Sequence, residues 1–92
     1  ISVNDSFVMN AWAQAHNIKK VKMIPDGSGE FTRLMGYLVD KDNLGFGKRS
    51  WRYAALIDNI NLEHTWAEDG KMNNCPTDPY EKSKPENVLD QI

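Results

Sequence analysis

Two strand patterns alternate with two helical patterns over the first 36 residues of the chain. Ile1–Val3 and Lys20–Ile24 are β-branched or apolar stretches typical of strands, and turn or capping residues follow each of them. Helices are predicted after these strands, the second over Glu30–Met35 with Gly36 ending it. This alternation favours an α/β layer architecture with parallel strands.

The first helix is defined by its apolar spacing. Four residues recur at i, i+3, i+4 and i+7, so that they share one helix face: Val8, Ala11, Trp12 and Ala15. Short polar side chains at positions 4–6 offer oxygens that can cap the unpaired amides of a first turn. The helix is therefore expected to run to about Ala15 or His16.

The second half of the chain changes pattern. Tyr37–Lys48 is predicted to be a loop, and Ser50–Asp58 and Leu62–Trp66 to be the strands of a β-hairpin. Because β-branched Ile60 resists positive φ, the connecting turn is expected to be longer or less regular than a two-residue turn. Gly70–Pro79 is rich in turn residues and is predicted to be an exposed loop.

A final helix is predicted from about Lys84 to Ile92. Ser83 and Glu86 have the spacing of a capping box, and Pro85 is acceptable in a first turn. The residues expected to be buried by this helix are Val88, Leu89 and Ile92.

Size and composition limit the chain to one small domain, residues 1–92. Hydrophobic residues make up 40% and the net charge is −2, so the chain is expected to be globular and has no global attraction to nucleic acid or anionic lipid. No apolar run approaches the roughly 20 residues that span a bilayer. A single cysteine excludes an internal disulfide, which fits a reducing compartment such as the cytoplasm. Because Ile1–Val3 is typical of a strand already under way, the domain is expected to be N-terminally incomplete.

Three segments resemble the peroxiredoxin-5 (type II) subfamily of the peroxiredoxins, and they occur in the same order. Residues 2–12 are similar to a strand-to-helix segment of that subfamily, residues 25–32 to its next strand-to-helix turn, and residues 44–53 to the loop before its penultimate strand. The resemblance covers roughly residues 1–66, and residues 78–89 match more loosely.

This resemblance implies the C-terminal part of a thioredoxin-like fold, in the order β-α-β-α, β-hairpin and helix. It implies a thiol-dependent peroxidase that reduces hydrogen peroxide and alkyl hydroperoxides, with glutathione, glutaredoxin or thioredoxin as reductant, no cofactor, and homo-oligomers. The family's Pro-x-x-x-Thr-x-x-Cys motif is absent from these residues. The alternative is therefore a non-catalytic, truncated thioredoxin-like module that self-associates or docks on a partner.

Arg52 is the catalytic candidate that the resemblance supplies, since it matches the arginine placed beside the peroxidatic sulfur. A guanidinium stays charged and presents its donors in a fixed fork, so it can favour a thiolate and hold a peroxide. From the residues alone, without the resemblance, Arg52 is interpreted as an exposed strand arginine in a surface ion pair.

Two further residues keep two interpretations each. Cys75 is either a resolving thiol, as in some members of the subfamily, or a loop thiol of no special reactivity. It cannot be the peroxidatic cysteine, because Met72 stands where the motif needs a threonine. Phe46, between two glycines, either contacts a second subunit or folds back onto the core.

Two other groups of residues give weaker indications of function: a basic cluster around a tryptophan, and the two histidines. Lys48, Arg49 and Arg52 surround Trp51, a mixture that can bind single-stranded nucleic acid but is also typical of a solvated loop. The two histidines, His16 and His64, have no metal-ligand spacing with the cysteine, so no metal site is expected.

Overall fold

The structure is a computed structural model that describes residues 1–92. It contains three α-helices, four strands in two antiparallel hairpins, and one short 3₁₀ helix. In chain order these are α1 Ser6–Ala15, α2 Glu30–Met35, β1 Leu38–Asp40, the 3₁₀ helix Asp42–Leu44, β2 Lys48–Ser50, β3 Tyr53–Asp58, β4 Asn61–Ala67 and α3 Pro85–Asp90.

The two strands predicted at the N-terminal end are reduced to one parallel bridge between Ser2 and Pro25. The Ser2 amide donates to the Ile24 carbonyl at 3.3 Å, and the Asp26 amide donates to the Ser2 carbonyl at 2.8 Å. The parallel direction matches the prediction, but the predicted strand lengths are wrong. Pro25 has no amide to extend the ladder, and no further strand flanks the pair.

Helix α1 begins and ends as its sequence predicts. The Asp5 carboxylate caps it by accepting from the Val8 amide at 2.8 Å. Met9 and Ala13 are its buried residues, whereas Val8 and Trp12 are each 51% exposed. The face that the apolar spacing defined is therefore mostly uncovered in this chain.

Helix α2 has the predicted bounds and is held at its start by Asp26. That carboxylate accepts from the Thr32 hydroxyl at 2.6 Å, the Thr32 amide at 2.8 Å and the Phe31 amide at 3.2 Å. Hydrogen bonds from Thr32, first its hydroxyl and then its amide, lower the pKa of Asp26. Gly29 precedes the helix with φ of 73°, and a Cβ there would lie 3.1 Å from Leu38.

The segment predicted as a loop, Tyr37–Lys48, in fact contributes most of a β-hairpin. Strands β1 and β2 pair with Val39 opposite Arg49 and Asp40 opposite Lys48. The prediction was wrong because each strand has only three residues and their charged ends are poor strand formers. The pairing is extended by a hydrogen bond from the Trp51 amide to the Tyr37 carbonyl at 2.6 Å.

Strands β3 and β4 confirm the predicted hairpin, but its first strand begins at Tyr53 and not at Ser50, which lies in β2. The turn is also tighter than expected. Asp58 pairs with Asn61, so only Asn59 and Ile60 connect the strands. Asn59 takes the positive φ, 62°, and Ile60 does not have to. The irregularity lies inside the hairpin instead, where the register shifts by one residue between Leu56 and Ile57.

The C-terminal helix differs from the predicted one in its cap and its burial. Lys84 is the N-cap and makes no side-chain capping bond, so the predicted capping box is wrong, although Pro85 does occupy the first turn. Leu89 and Ile92 are exposed, contrary to expectation. The helix is instead attached through Gln91, whose side-chain oxygen accepts from the Trp66 indole at 2.9 Å.

The core is small and lies against the β1–β2 hairpin. Val39, Trp51 and Cys75 form its buried cluster, and Tyr37 packs against it. The predicted exposed loop Gly70–Pro79 is mostly exposed, but Cys75 within it is only 8% exposed. This loop therefore contributes a side chain to the core.

Candidate functional site

Arg52 lies in the short link between β2 and β3, where its backbone is fixed from both sides. The preceding Trp51 is buried, and its indole donates to the Glu68 carbonyl at 2.8 Å. The Glu68 amide in turn donates to the Arg52 carbonyl at 3.2 Å. The position of the Arg52 Cα is thus set by the core and by the end of β4.

The guanidinium of Arg52 has two partners on the C-terminal segment. Its Nη2 donates to Asp78 Oδ2 at 3.0 Å, and its Cζ lies 4.6 Å from the centre of the Tyr80 ring. The Arg52 side chain is 39% exposed and that of Asp78 is 74% exposed, so the pair is solvated. The ion pair expected from the residues alone is present, and it occupies only one of the guanidinium nitrogens.

The remaining guanidinium donors have no protein acceptor. Arg52 borders a cavity of about 490 Å³ whose lining is largely apolar. The lining includes Ile1, Phe31, Met35, Tyr53 and Ala55. An arginine with free donors at the edge of an apolar cavity can orient a small polar molecule or stabilise a nearby anion.

Cys75 is brought into the core and not to Arg52. Its sulfur lies 3.6 Å from the Thr77 hydroxyl, and hydrogen bonds from Thr77 lower the pKa of the thiol. Cys75 borders a different cavity, of about 390 Å³, which Arg52 does not line. Both interpretations of Cys75 stay predictions, but its burial restricts the access that a resolving thiol needs.

Glu68 is a buried acid that the sequence interpretation missed. Its carboxylate accepts from four donors, all on the segment before α3: the Ser83 hydroxyl at 2.6 Å, the Ser83 amide at 2.7 Å, the Glu81 amide at 3.0 Å and the Lys82 amide at 3.2 Å. Burial alone would raise the pKa of Glu68, but these hydrogen bonds outweigh it and lower the pKa to about 2. The only signal in the sequence was an acid at the end of a strand pattern.

The other basic residues near Trp51 each have a partner within the protein. Lys48 pairs with Asp40 at 2.8 Å, and Arg49 donates to the Val3 carbonyl at 2.8 Å. Trp51 is only 3% exposed, so it has no free ring face on which a base could stack. This geometry favours the interpretation of the cluster as structural.

Phe46 is 54% exposed, and the centre of its ring lies 5.8 Å from Cζ of the Arg49 guanidinium. It does not cover the core of this chain, and its role as a subunit contact stays a prediction. His16 and His64 each lie beside a tryptophan close in sequence, Trp12 and Trp66, in tilted arrangements with ring centres 4.4 Å apart. No group of three metal-binding side chains is close enough to hold a metal ion. None of the three α-helices has the length and the apolar composition of a membrane-spanning helix.

The sequence of this chain matches the family model described as Redoxin over residues 1–88. It is 63% identical to a peroxiredoxin of Rhizobium etli over 97% of this chain and 50% of the relative. It is 48% identical to a hybrid peroxiredoxin of Haemophilus influenzae over 97% of this chain and 35% of the relative. The chain thus spans about half the length, or less, of the curated relatives that it matches.

Solved structures agree with these sequence matches. An antioxidant protein (1-Cys peroxiredoxin) of Plasmodium falciparum superposes with a TM-score of 0.94 at 40% identity, covering 98% of this chain and 51% of that one. A reduced Prx3 of Vibrio vulnificus in complex with H2O2 superposes with a TM-score of 0.83 at 38% identity, covering 98% and 51%.

Proposed function

The chain belongs to the redoxin family, and from that premise we propose that it contributes the C-terminal segment of a thiol-dependent peroxidase of the peroxiredoxin-5 type. The peroxiredoxin-5 subfamily is consistent with the curated relatives of this chain, which are peroxiredoxins. The structural neighbours of the chain have the thioredoxin-like α/β fold. The proposed substrates are hydrogen peroxide and alkyl hydroperoxides. The proposed reductants are glutathione, glutaredoxin or thioredoxin, in a reducing compartment such as the cytoplasm.

The observation that carries this proposal is the arrangement of Arg52 in a chain 63% identical to a peroxiredoxin. One guanidinium nitrogen is bound to Asp78, the others have no protein acceptor, and Arg52 lines a largely apolar cavity. A solved neighbour of this chain is described as a complex with H2O2, which shows that a protein of similar fold accommodates this substrate.

In the proposed reaction, a cysteine thiolate attacks one peroxide oxygen, and an S–O bond forms as the O–O bond breaks. The sulfur becomes a sulfenic acid, and the second oxygen leaves with a proton as water or alcohol. Arg52 favours the thiolate and stabilises the charge that develops on the leaving oxygen. The cysteine has to come from residues outside this chain, since Cys75 lacks the motif and does not border the Arg52 cavity.

A chimera tests the proposal. This chain is fused to the half of the Rhizobium etli peroxiredoxin that it does not match, and thiol-dependent consumption of H2O2 is measured. We expect turnover by the chimera and none by the 92-residue chain alone. Arg52→Ala should lower kcat/KM about 10²-fold or more, the usual cost of losing a donor to a developing anion.

Arg33→Ala is the matched control, because Arg33 is an exposed arginine that pairs only with Glu30 of its own helix. It should leave turnover unchanged. A folded chimera without peroxidase activity, or an unchanged rate in Arg52→Ala, would refute the proposal.

The second candidate is a non-catalytic module that self-associates, and the exposed apolar surface around α1 favours it. Phe7 is 84% exposed, and Val8, Trp12, Val21 and Ile24 are exposed as well. Phe46 is the proposed additional contact in a homo-oligomer. Sedimentation of the chain alone decides this: concentration-dependent association is expected, and a compact monomer at high concentration would argue against it.

A further inference from the structure

The guanidinium of Arg52 is held by side chains that are far from it in the sequence. Asp78 and Tyr80 lie 26 and 28 positions beyond it, on a segment without regular secondary structure. We propose that these two residues are positioning residues. They hold the guanidinium of Arg52 so that its free donors face the largely apolar cavity that Arg52 borders. This inference rests on the proposed peroxidase function.

Each contact restrains a different motion of the guanidinium. The hydrogen bond to Asp78, at 3.0 Å, fixes one end of the fork, and the Tyr80 ring at 4.6 Å packs against Cζ. An arginine side chain has four main rotatable bonds, so a solvated guanidinium with one partner would sample many orientations. Two partners of different kinds restrict the plane of the fork as well as its end.

The segment that carries these residues is itself anchored. Glu68 binds the Glu81 and Lys82 amides and both donors of Ser83, directly after Tyr80. The Glu68 amide also binds the Arg52 carbonyl. One buried residue therefore fixes the backbone of Arg52 and the segment that orients its side chain, so the two are held in a constant relation.

The contacts are suited to positioning more than to stability. The Arg52–Asp78 pair is half-exposed, and solvated pairs of this kind contribute little to the free energy of folding. A small displacement of a group that binds the reacting atoms can nonetheless lower a rate greatly. Losing Asp78 should therefore reduce turnover without a comparable loss of stability.

The test uses the chimera described above and measures kcat/KM for H2O2. Asp78→Asn and Tyr80→Leu should each lower it by about tenfold. Asp78→Glu and Tyr80→Phe should restore most of the lost rate, because the charge and the ring are kept and the Tyr80 hydroxyl makes no hydrogen bond in the structure. Asp69→Asn is the control: it removes an exposed ion pair with Lys82, at 2.7 Å, and should leave the rate unchanged.

A second measurement is independent of catalysis. In the 92-residue chain, ¹⁵N relaxation of the Arg52 Nε–H group reports the order of the guanidinium, which Asp78→Asn and Tyr80→Leu should lower and Asp69→Asn should not. An inactive wild-type chimera would refute the peroxidase function while this measurement still decides the positioning. Unchanged order in both variants, or unchanged kcat/KM in an active chimera, would overturn the inference.

Discussion

The two sides of this small protein differ in how they are packed: long-range hydrogen bonds join one side, and the other leaves apolar side chains exposed. Around Trp51 and Glu68, hydrogen bonds join residues that are distant in sequence: the Trp51 indole donates to the Glu68 carbonyl, and the Ser83 amide donates to the Glu68 carboxylate. Around Ile1 and α1, one parallel bridge supports a surface of exposed apolar side chains. The difference separates a side that long-range contacts hold together from a side whose apolar surface is open to solvent.

The largest effect should come from removing Glu68, which holds the hydrogen-bonded side of the protein together. Glu68→Ala leaves the four donors of residues 81–83 without their acceptor, and we expect a loss of about 3 kcal/mol in the free energy of unfolding. Urea denaturation measures it. If the loss were below about 0.5 kcal/mol, the segment before α3 would not depend on Glu68.

The same residue predicts a dependence on acid. The folded-state pKa of Glu68, about 2, lies below its ordinary value of 4.5, so the carboxylate stabilises the fold fully above that ordinary value. This contribution should disappear as the pH falls from about 4.5 to about 2. Measuring the free energy of unfolding of the chain and of Glu68→Gln over this pH range isolates the contribution of Glu68. If the free energy of unfolding changed equally with pH in both proteins, the lowered pKa of Glu68 would be contradicted.

The start of α2 should give an intermediate effect. Asp26→Asn weakens three hydrogen bonds to Phe31 and Thr32, and a loss of about 1 kcal/mol is expected, as for other capping residues. Thermal unfolding of the two proteins measures the difference. Ser28→Ala, at an exposed neighbouring position, is the control and should have no effect.

The uncovered side should give the smallest effect on stability. Val8→Ser and Trp12→Gln change side chains that are half-exposed, so each should alter the free energy of unfolding of the chain by about 0.5 kcal/mol or less. Both should reduce self-association in sedimentation. A large loss of stability would show that this face is packed within the chain and would remove the contrast between the two sides.

The sequence predicts the elements whose signals are local. The bounds of α1 and α2 follow from Asp5 and Gly36, and the β3–β4 hairpin follows from its strand patterns. The β1–β2 hairpin was missed because long-range pairing, including the bond from Trp51 to Tyr37, decides it. The N-terminal strands were overestimated because a strand needs neighbours as well as β-branched residues.

The candidate site shows the same division. Arg52 was identified by resemblance, since an arginine within a predicted strand has no local property that marks it as functional. Asp78, Tyr80 and Glu68 could not be connected to it from the sequence, because their contacts with Arg52 and with residues 81–83 depend on how distant segments fold together. Ser83 illustrates the limit, since its capping-box spacing is present and its hydroxyl binds Glu68 instead.

The central claim is that this chain completes a peroxidase when the rest of the fold covers its open side. Mixing it in trans with the half of the Rhizobium etli peroxiredoxin that it does not match, and following H2O2 consumption with a thiol reductant, tests this most directly. We predict turnover by the mixture that neither part shows alone, and its loss in Arg52→Ala. A mixture that forms a complex but consumes no peroxide would contradict the claim.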